Sequence, residues 1–247
     1  MCEKFDKEII MFIDEFIEKS KEMKISGKGS NKSCYLFDKY ALLCSRSYGQ
    51  CADAQEKIER IKKLKNQGVN VACILETKMI DNKDYELQER AQGESLFPLN
   101  LKNDEIGELK YLKTLLRISE EEISFYEKML YDWDAILSAG LDVDPSKCTN
   151  FFYQKGSICF IDLNNRQKTY EERKQYQYLE MAAVLRGGGL LWQCKHVYQE
   201  ANEAVKKIYI KLGEAVLKLG GNIQEYIQQV DRTAEYDLEN YFSKYSK

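Results

Sequence analysis

The residues best suited to chemistry lie in the run Gly140 to Asn164, GLDVDPSKCTNFFYQKGSICFIDLN, where Asp144, Asn150 and Asp162 stand among short apolar segments. Phe151 to Tyr153 and Ser157 to Ile161 read as two strands joined by a turn at Lys155-Gly156, with Asp144, Pro145 and Asn150 in the preceding loop. A hairpin of that kind carries Asn150 and Asp162 to the same end of the strand pair. Two hard oxygen ligands then converge. The pair suits magnesium, which takes few protein ligands and keeps its other positions for water and phosphate oxygens. Asp144 falls close by. Turns favour Asp and Asn in any case, so a plain hairpin accounts for the same letters.

The elements that must position these residues follow from periodicity. From Glu3 to about Met23, Phe5, Ile9, Phe12, Ile13, Phe16 and Ile17 recur at helical spacing, so an amphipathic helix should cover the chain's own sheet. Gly27 and Gly29, followed by Ser30 and Asn31, form a glycine-containing turn whose backbone N–H groups can face a phosphate. A hairpin then runs through Ser33 to Phe37 and Tyr40 to Cys44. Gln50 to Asn66 reads as a helix with Ile58, Ile61 and Leu64 on one face and Glu56 and Glu59 on others. Two further strands, joined by a polar turn at Asp81 to Asp84, end near Gly93.

Beyond Asp104 the pattern is helical. Ser119 and Glu122 have capping-box spacing for a helix reaching about Ser138. Tyr170 to Leu185 reads as helix, and a triple-glycine break at Gly187 to Gly189 precedes a long predicted helix, Leu190 to Leu219, with Trp192 in its apolar stripe. His196 lies within that helix. The expected organisation is an N-terminal helix over 1–24, a sheet region over 25–93 and a mostly helical region over 94–247.

The order of these elements, with Asp144, Asn150 and Asp162 as quoted, resembles the protein-kinase-like superfamily, and within it the aminoglycoside-phosphotransferase and small-molecule-kinase branch. The resemblance covers Gly27 to Asn164. It implies an α+β, two-lobe fold and an ATP-dependent phosphotransferase acting on a small-molecule or protein hydroxyl. By the same resemblance Asn150 and Asp162 would hold magnesium and Asp144 would handle the acceptor hydroxyl. Gly27, Gly29, Ser30 and Asn31 would cover the phosphates, Glu59 (with Glu56 in reserve) would position the phosphate-binding base, and adenine would meet the backbone near Glu89 and Ala91. The chain departs from the pattern in three places. The only histidine is His196, so none precedes Asp144; Asp144 stands six positions before Asn150 rather than five; and Ala41 to Ser45 carries no lysine, leaving Arg46, Lys28, Lys32 or Lys39 as the phosphate-binding base. Asp142 is the substitute for Asp144. These departures keep open a catalytically inactive, pseudokinase-like binding or scaffold module, and a mixed interaction protein with no nucleotide site.

Composition excludes several other classes. With 44% apolar residues over 247 positions the chain can bury a core, and a formal charge of -3 supplies no basic field for general nucleic-acid binding. Eight cysteines lie scattered without a Cys-x-x-Cys pair, which argues against zinc and for reduced thiols, as in a cytoplasmic protein. No membrane span or secretory signal is expected from the N-terminal pattern.

Overall fold

The computed structural model describes residues 12–28, 32–45, 54–97, 105–165, 167–230 and 236–245. Of the predicted site residues, Gly29, Ser30, Asn31 and Arg46 lie outside them. Two compact units divide the chain, Met1–Ala91 and Gln92–Lys247.

The first unit runs α1 (Phe12–Ser20), β1 (Gly27–Lys28), β2 (Lys32–Leu36), β3 (Tyr40–Ser45), α2 (Ala54–Asn66), β4 (Ile74–Ile80) and β5 (Lys83–Glu89). The strands form one antiparallel sheet in the order β1-β2-β3-β5-β4. Where a glycine turn was predicted, Gly27 and Lys28 extend the sheet by pairing with Cys34 and Ser33. β4 and β5 join through a tighter turn than expected, with Asp81 and Asn82 at φ 49° and 58°. Positive φ at both central residues matches the right-handed twist of the flanking strands, and Asp and Asn tolerate it. Side chains alternate across a strand, so each helix takes one face. Ile13, Phe16 and Ile17 of α1 bury against Leu42 and Leu87, with Tyr35, Tyr40 and Tyr85 around them. The neighbouring residues, Leu43 and Glu86, point to the other side, where Lys57 of α2 reaches Glu86.

The second unit runs β6 (Glu94–Ser95), α3 (Glu105–Ser119), α4 (Ile123–Ser138), β7 (Leu141–Asp142), β8 (Phe151–Gln154), β9 (Ser157–Phe160), β10 (Asn164–Asn165), α5 (Tyr170–Lys174), α6 (Gln177–Leu185), α7 (Tyr198–Lys218), α8 (Ile223–Val230) and α9 (Leu238–Phe242). α7 packs on both α3 and α4, burying Ala201, Val205, Ile208 and Leu212. Its Lys211 ammonium donates to the carbonyls of Ser119 and Glu121 at 2.7 and 2.6 Å, neutralising the C-terminal end of α3. Among the described residues, no helix is long and apolar enough to cross a membrane. The architecture is α+β: a small antiparallel-sheet unit followed by a larger, mainly helical one.

Three expectations for the helical unit need correction. First, the stretch Tyr170 to Leu185 forms two helices, α5 and α6, parted at Gln175 and Tyr176. The predicted capping box does not form: Ser119 still belongs to α3 and donates to the Leu116 carbonyl, while Glu122 takes the N-cap position of α4 without a side-chain bond. A complete capping box occurs instead at Thr169 and Glu172, opening α5. The predicted Leu190 to Leu219 helix is broken. Leu190–Gln193 is a 3-10 turn, Trp192 is 50% exposed, and α7 starts only at Tyr198. Glu108 of α3 supplies the physical cause, because its carboxylate takes the His196 N–H at 2.8 Å and draws that backbone out of the helical ladder.

Candidate functional site

Trp133 of α4 anchors the hairpin that carries the candidate metal ligands. Its ring stacks on Phe151 at 6.0 Å and meets Phe160 edge-on at 6.0 Å. Phe151 and Phe160 are themselves directly paired across β8 and β9, at the end of the ladder away from the Lys155-Gly156 turn. Beyond them the Ile161 N–H donates to the Asn150 carbonyl at 3.0 Å, so Asn150 and the following Asp162 flank the open end of the strand pair.

Both residues carry a local cost. Asn150, last in a 3-10 turn from Cys148, is only 5% exposed, and its Nδ2 is buried without a hydrogen-bond partner among the described residues. An unmade buried bond costs about 1–3 kcal/mol. Turned over, the same amide presents a carbonyl oxygen, a hard ligand that a cation would satisfy. Asp162 sits at φ 54°, in the left-handed region. Such a backbone costs an L-residue about 1–2 kcal/mol, and residues held this way cluster at functional sites. Among the described residues, no cluster of three His, Cys, Asp or Glu side chains is arranged to hold a metal. A magnesium ion held here would take one carboxylate and one amide oxygen from the protein and fill its other positions with water and phosphate oxygens.

Asp144 is joined to Asn150 by two successive turns, Lys147 N–H to the Asp144 carbonyl at 3.2 Å and Asn150 N–H to the Lys147 carbonyl at 2.9 Å. The Asp144 carboxylate accepts from the Ser146 N–H at 3.0 Å and the Ser146 hydroxyl at 2.6 Å, and Lys147 lies 3.4 Å away. Burial pushes this carboxyl up, but the Ser146 bonds and Lys147 outweigh it and hold it below the ordinary Asp range. Asp142 has another partner: its Oδ1 accepts from Arg173 at 2.8 Å, while the same guanidinium grips Glu180. Asp142 also pairs with Asn164, so the β7–β10 ladder and Arg173 together tie down the chain just before Asp144 and just after Asp162. An open pocket lined by Leu116, Arg117, Glu121, Tyr153 and Lys155 lies at the turn end of the hairpin, away from Asn150 and Asp162.

In the sheet unit the predicted residues are spread over several elements. Gly27 opens β1, directly opposite Cys34. Glu59 is exposed on α2 and accepts from Gln55 at 3.2 Å; Glu56 pairs with Arg60. Glu89 receives Lys65 at 2.7 Å and the Cys73 N–H at 3.1 Å, and its own N–H is donated to the Cys73 carbonyl at 2.8 Å. Of the two positions predicted to meet adenine, only Ala91 has its backbone outside these ladder contacts. Sequence reasoning missed the pair between Lys57 and Glu86, 3.6 Å apart with side chains only 14% and 17% exposed. The one available signal was a lysine directly before Ile58 on the buried stripe of α2.

No protein-family model and no curated protein matches the chain. Among solved structures it is similar to WbdD, co-crystallised with a kinase inhibitor, at 9% identity and a TM-score of 0.39 over 83% of this chain; it spans only 49% of that chain. It is also similar to the Cydia pomonella granulovirus kinase PK-1, at 9% identity and a TM-score of 0.45 over 88% of this chain and 97% of that one. The BubR1 kinase domain is similar at 13% identity, with a TM-score of 0.46 over 92% of this chain and 96% of that one.

Proposed function

We propose that the protein is an ATP-dependent, kinase-like phosphotransferase acting on a hydroxyl of a small molecule or a protein. The observation that carries this reading is the open end of the β8–β9 hairpin, where a buried amide whose nitrogen has no partner among the described residues stands beside an aspartate in a left-handed backbone. Asn150 and Asp162 would hold magnesium, which when bound neutralises charge on the phosphate oxygens. Asp144, kept ionised by Ser146 and Lys147, accepts a hydrogen bond from the acceptor hydroxyl and orients it. With its carboxyl held low it is a weak base, which suits phosphoryl transfer, where positioning and charge stabilisation dominate. In the sheet unit Gly27 approaches the phosphates and Ala91 offers backbone to adenine.

The test is ATP-induced thermal stabilisation with and without magnesium, since a ligand that binds the folded state raises its apparent stability. Wild type should show a magnesium-dependent shift that Asp162→Ala and Asn150→Ala abolish. No shift in wild type at saturating ATP would overturn the nucleotide reading. A second reading, nucleotide binding without transfer, is favoured by β3 itself, which presents Leu43 and no lysine beside Glu86. ATP turnover over a panel of hydroxyl acceptors separates the two.

A further inference from the structure

The register of the sheet sets out a row of directly opposed residues across all five strands: Gly27 with Cys34, Cys34 with Leu43, Leu43 with Glu86, and Glu86 with Thr77. Directly opposed residues in antiparallel strands project to the same face. This face is opposite the one that α1 covers through Leu42 and Leu87. Strands lie about 4.8 Å apart, so Gly27 and Glu86, three strands apart, are separated by roughly 14 Å along the row.

Three features of the row point to a polyanion. First, nothing among the described residues requires a glycine at its start. Among the described residues a Cβ on Gly27 would meet only the Cβ of Cys34, at an ordinary 3.7 Å, and the residue is not held at positive φ. Glycine in a strand goes with a bulge, a tight bend or a close approach of ligand or backbone, and an open strand-end glycine such as Gly27 leaves room for the last of these. Second, Cys34 and Leu43 present no charge that would repel an anion. Third, the row carries a cation where it reaches β5. Lys57 comes down from α2 onto Glu86, and among the described residues Glu86 is its single polar partner. At 3.6 Å the contact is an ion pair without a hydrogen bond, and an ammonium has three protons to donate.

We propose that Lys57, held by Glu86, is the phosphate-binding cation of the nucleotide site, reaching from the helix onto the row that starts at Gly27. The assignment rests on the nucleotide reading given above. It replaces Arg46 and the loop lysines as the phosphate-binding base and explains why β3 carries none: the cation stands on the helix and its carboxylate partner on the strand. Glu86 is a positioning residue, since it acts through Lys57. Glu59, exposed and bonded to Gln55, has no part in the pair.

The experiment is calorimetric titration of wild type, Lys57→Ala and Lys57→Arg with ATP, ADP and adenosine, magnesium present throughout. Losing a charge-assisted contact to phosphate should weaken ATP binding by Lys57→Ala about tenfold or more. Adenosine has no phosphate, so its affinity should stay within about twofold, while Lys57→Arg, which keeps the charge but not the ammonium's shape, should lose less ATP affinity than Lys57→Ala. Equal affinity of wild type and Lys57→Ala for ATP would overturn the assignment and leave the nucleotide reading standing. Equal losses for ATP and adenosine would overturn it too, as the mark of a pair that only docks α2. If wild type binds none of the three ligands, the nucleotide reading itself has failed and the assignment falls with it. Should Lys57→Ala fail to fold, Lys57→Gln preserves the side-chain length for the same comparison.

Discussion

Replacing Arg173 by methionine removes a charge from the network that braces the candidate site while keeping much of the volume. The Arg173 side chain is 10% exposed and faces Asp142 at 24% and Glu180 at 15%. Deleting one member of a buried charge cluster costs about 3–5 kcal/mol, because the remaining charges stay behind in a poor solvent. Asp142 and Glu180 both keep some water, so the lower end of about 3 kcal/mol is expected at neutral pH. The deficit should depend on pH. Burial pushes the Glu180 carboxyl up, and Arg173 only partly offsets it. Without the guanidinium, the folded-state pKa rises further while the unfolded value is unchanged. A carboxyl that holds its proton more tightly in the folded state lowers stability as pH climbs from the unfolded to the folded pKa. The deficit of Arg173→Met therefore grows from mildly acidic to neutral pH, by about 1.4 kcal/mol for each unit added to that folded-state pKa. Urea denaturation of both proteins in the two buffers measures it. A neutral-pH deficit below about 1 kcal/mol, the size of an ordinary substitution, would refute the bracing role. So would a deficit equal in the two buffers.

Ser146→Ala removes the 2.6 Å hydroxyl bond to Asp144, so the Asp144 carboxyl should rise toward the ordinary Asp range, measurable by NMR titration of the carboxyl carbon. Because the folded-state pKa of Asp144 is lowered, its contribution is present above the ordinary Asp pKa and lost as pH falls through the folded value. The variant should lose part of it at neutral pH and show a shallower acid limb. Gly213→Ala tests the packing of α7. A Cβ there would come within 2.8 Å of Phe242 Cε2 and 2.9 Å of Tyr226 Cε1. Alanine gains about 1 kcal/mol of helix propensity, but overpacking costs about 1–3 kcal/mol, so a net loss in urea denaturation is expected.

How much could be read in advance depended on whether a feature was local. The hairpin was legible because Phe151 to Tyr153 and Ser157 to Ile161 flank a Lys-Gly turn, and the turn fixes the pairing. That pairing alone brings Asn150 and Asp162 to one end. The α2 stripe of Ile58, Ile61 and Leu64 was local in the same way. The His196 region was not. Its apolar periodicity continues through Val197 into α7, and the carboxylate that takes the His196 N–H where the helix is interrupted comes from α3, far off in sequence. Ser119 and Glu122 had the right spacing for a cap, but α3 runs one residue too far to release Ser119. The left-handed backbone of Asp162 has no letter code beyond the tolerance of aspartate for it.

On the assignment proposed above, the Lys57–Glu86 pair explains why a phosphate-binding base is hard to read from the sequence. A sequence search for a strand lysine assumes that the cation belongs to the sheet and its carboxylate partner to the helix. An ion pair is symmetric in energy, however, and either element can supply either charge. What has to be conserved physically is an ammonium over the face that carries Gly27, Leu43 and Glu86, held so that little side-chain freedom is lost when phosphate binds. With Lys57 at 14% exposure, much of that freedom is already gone before any ligand arrives. The same logic applies to Asp144, whose carboxylate is fixed by Ser146 and Lys147. A group tied down in this way gives up basicity and gains orientation. Transfer by this site would then depend on how well the acceptor hydroxyl is aligned. Raising the Asp144 pKa by Ser146→Ala should therefore slow turnover by loosening that alignment rather than speed it by making a stronger base. A rise in kcat for Ser146→Ala would show that proton removal, and not positioning, limits the reaction.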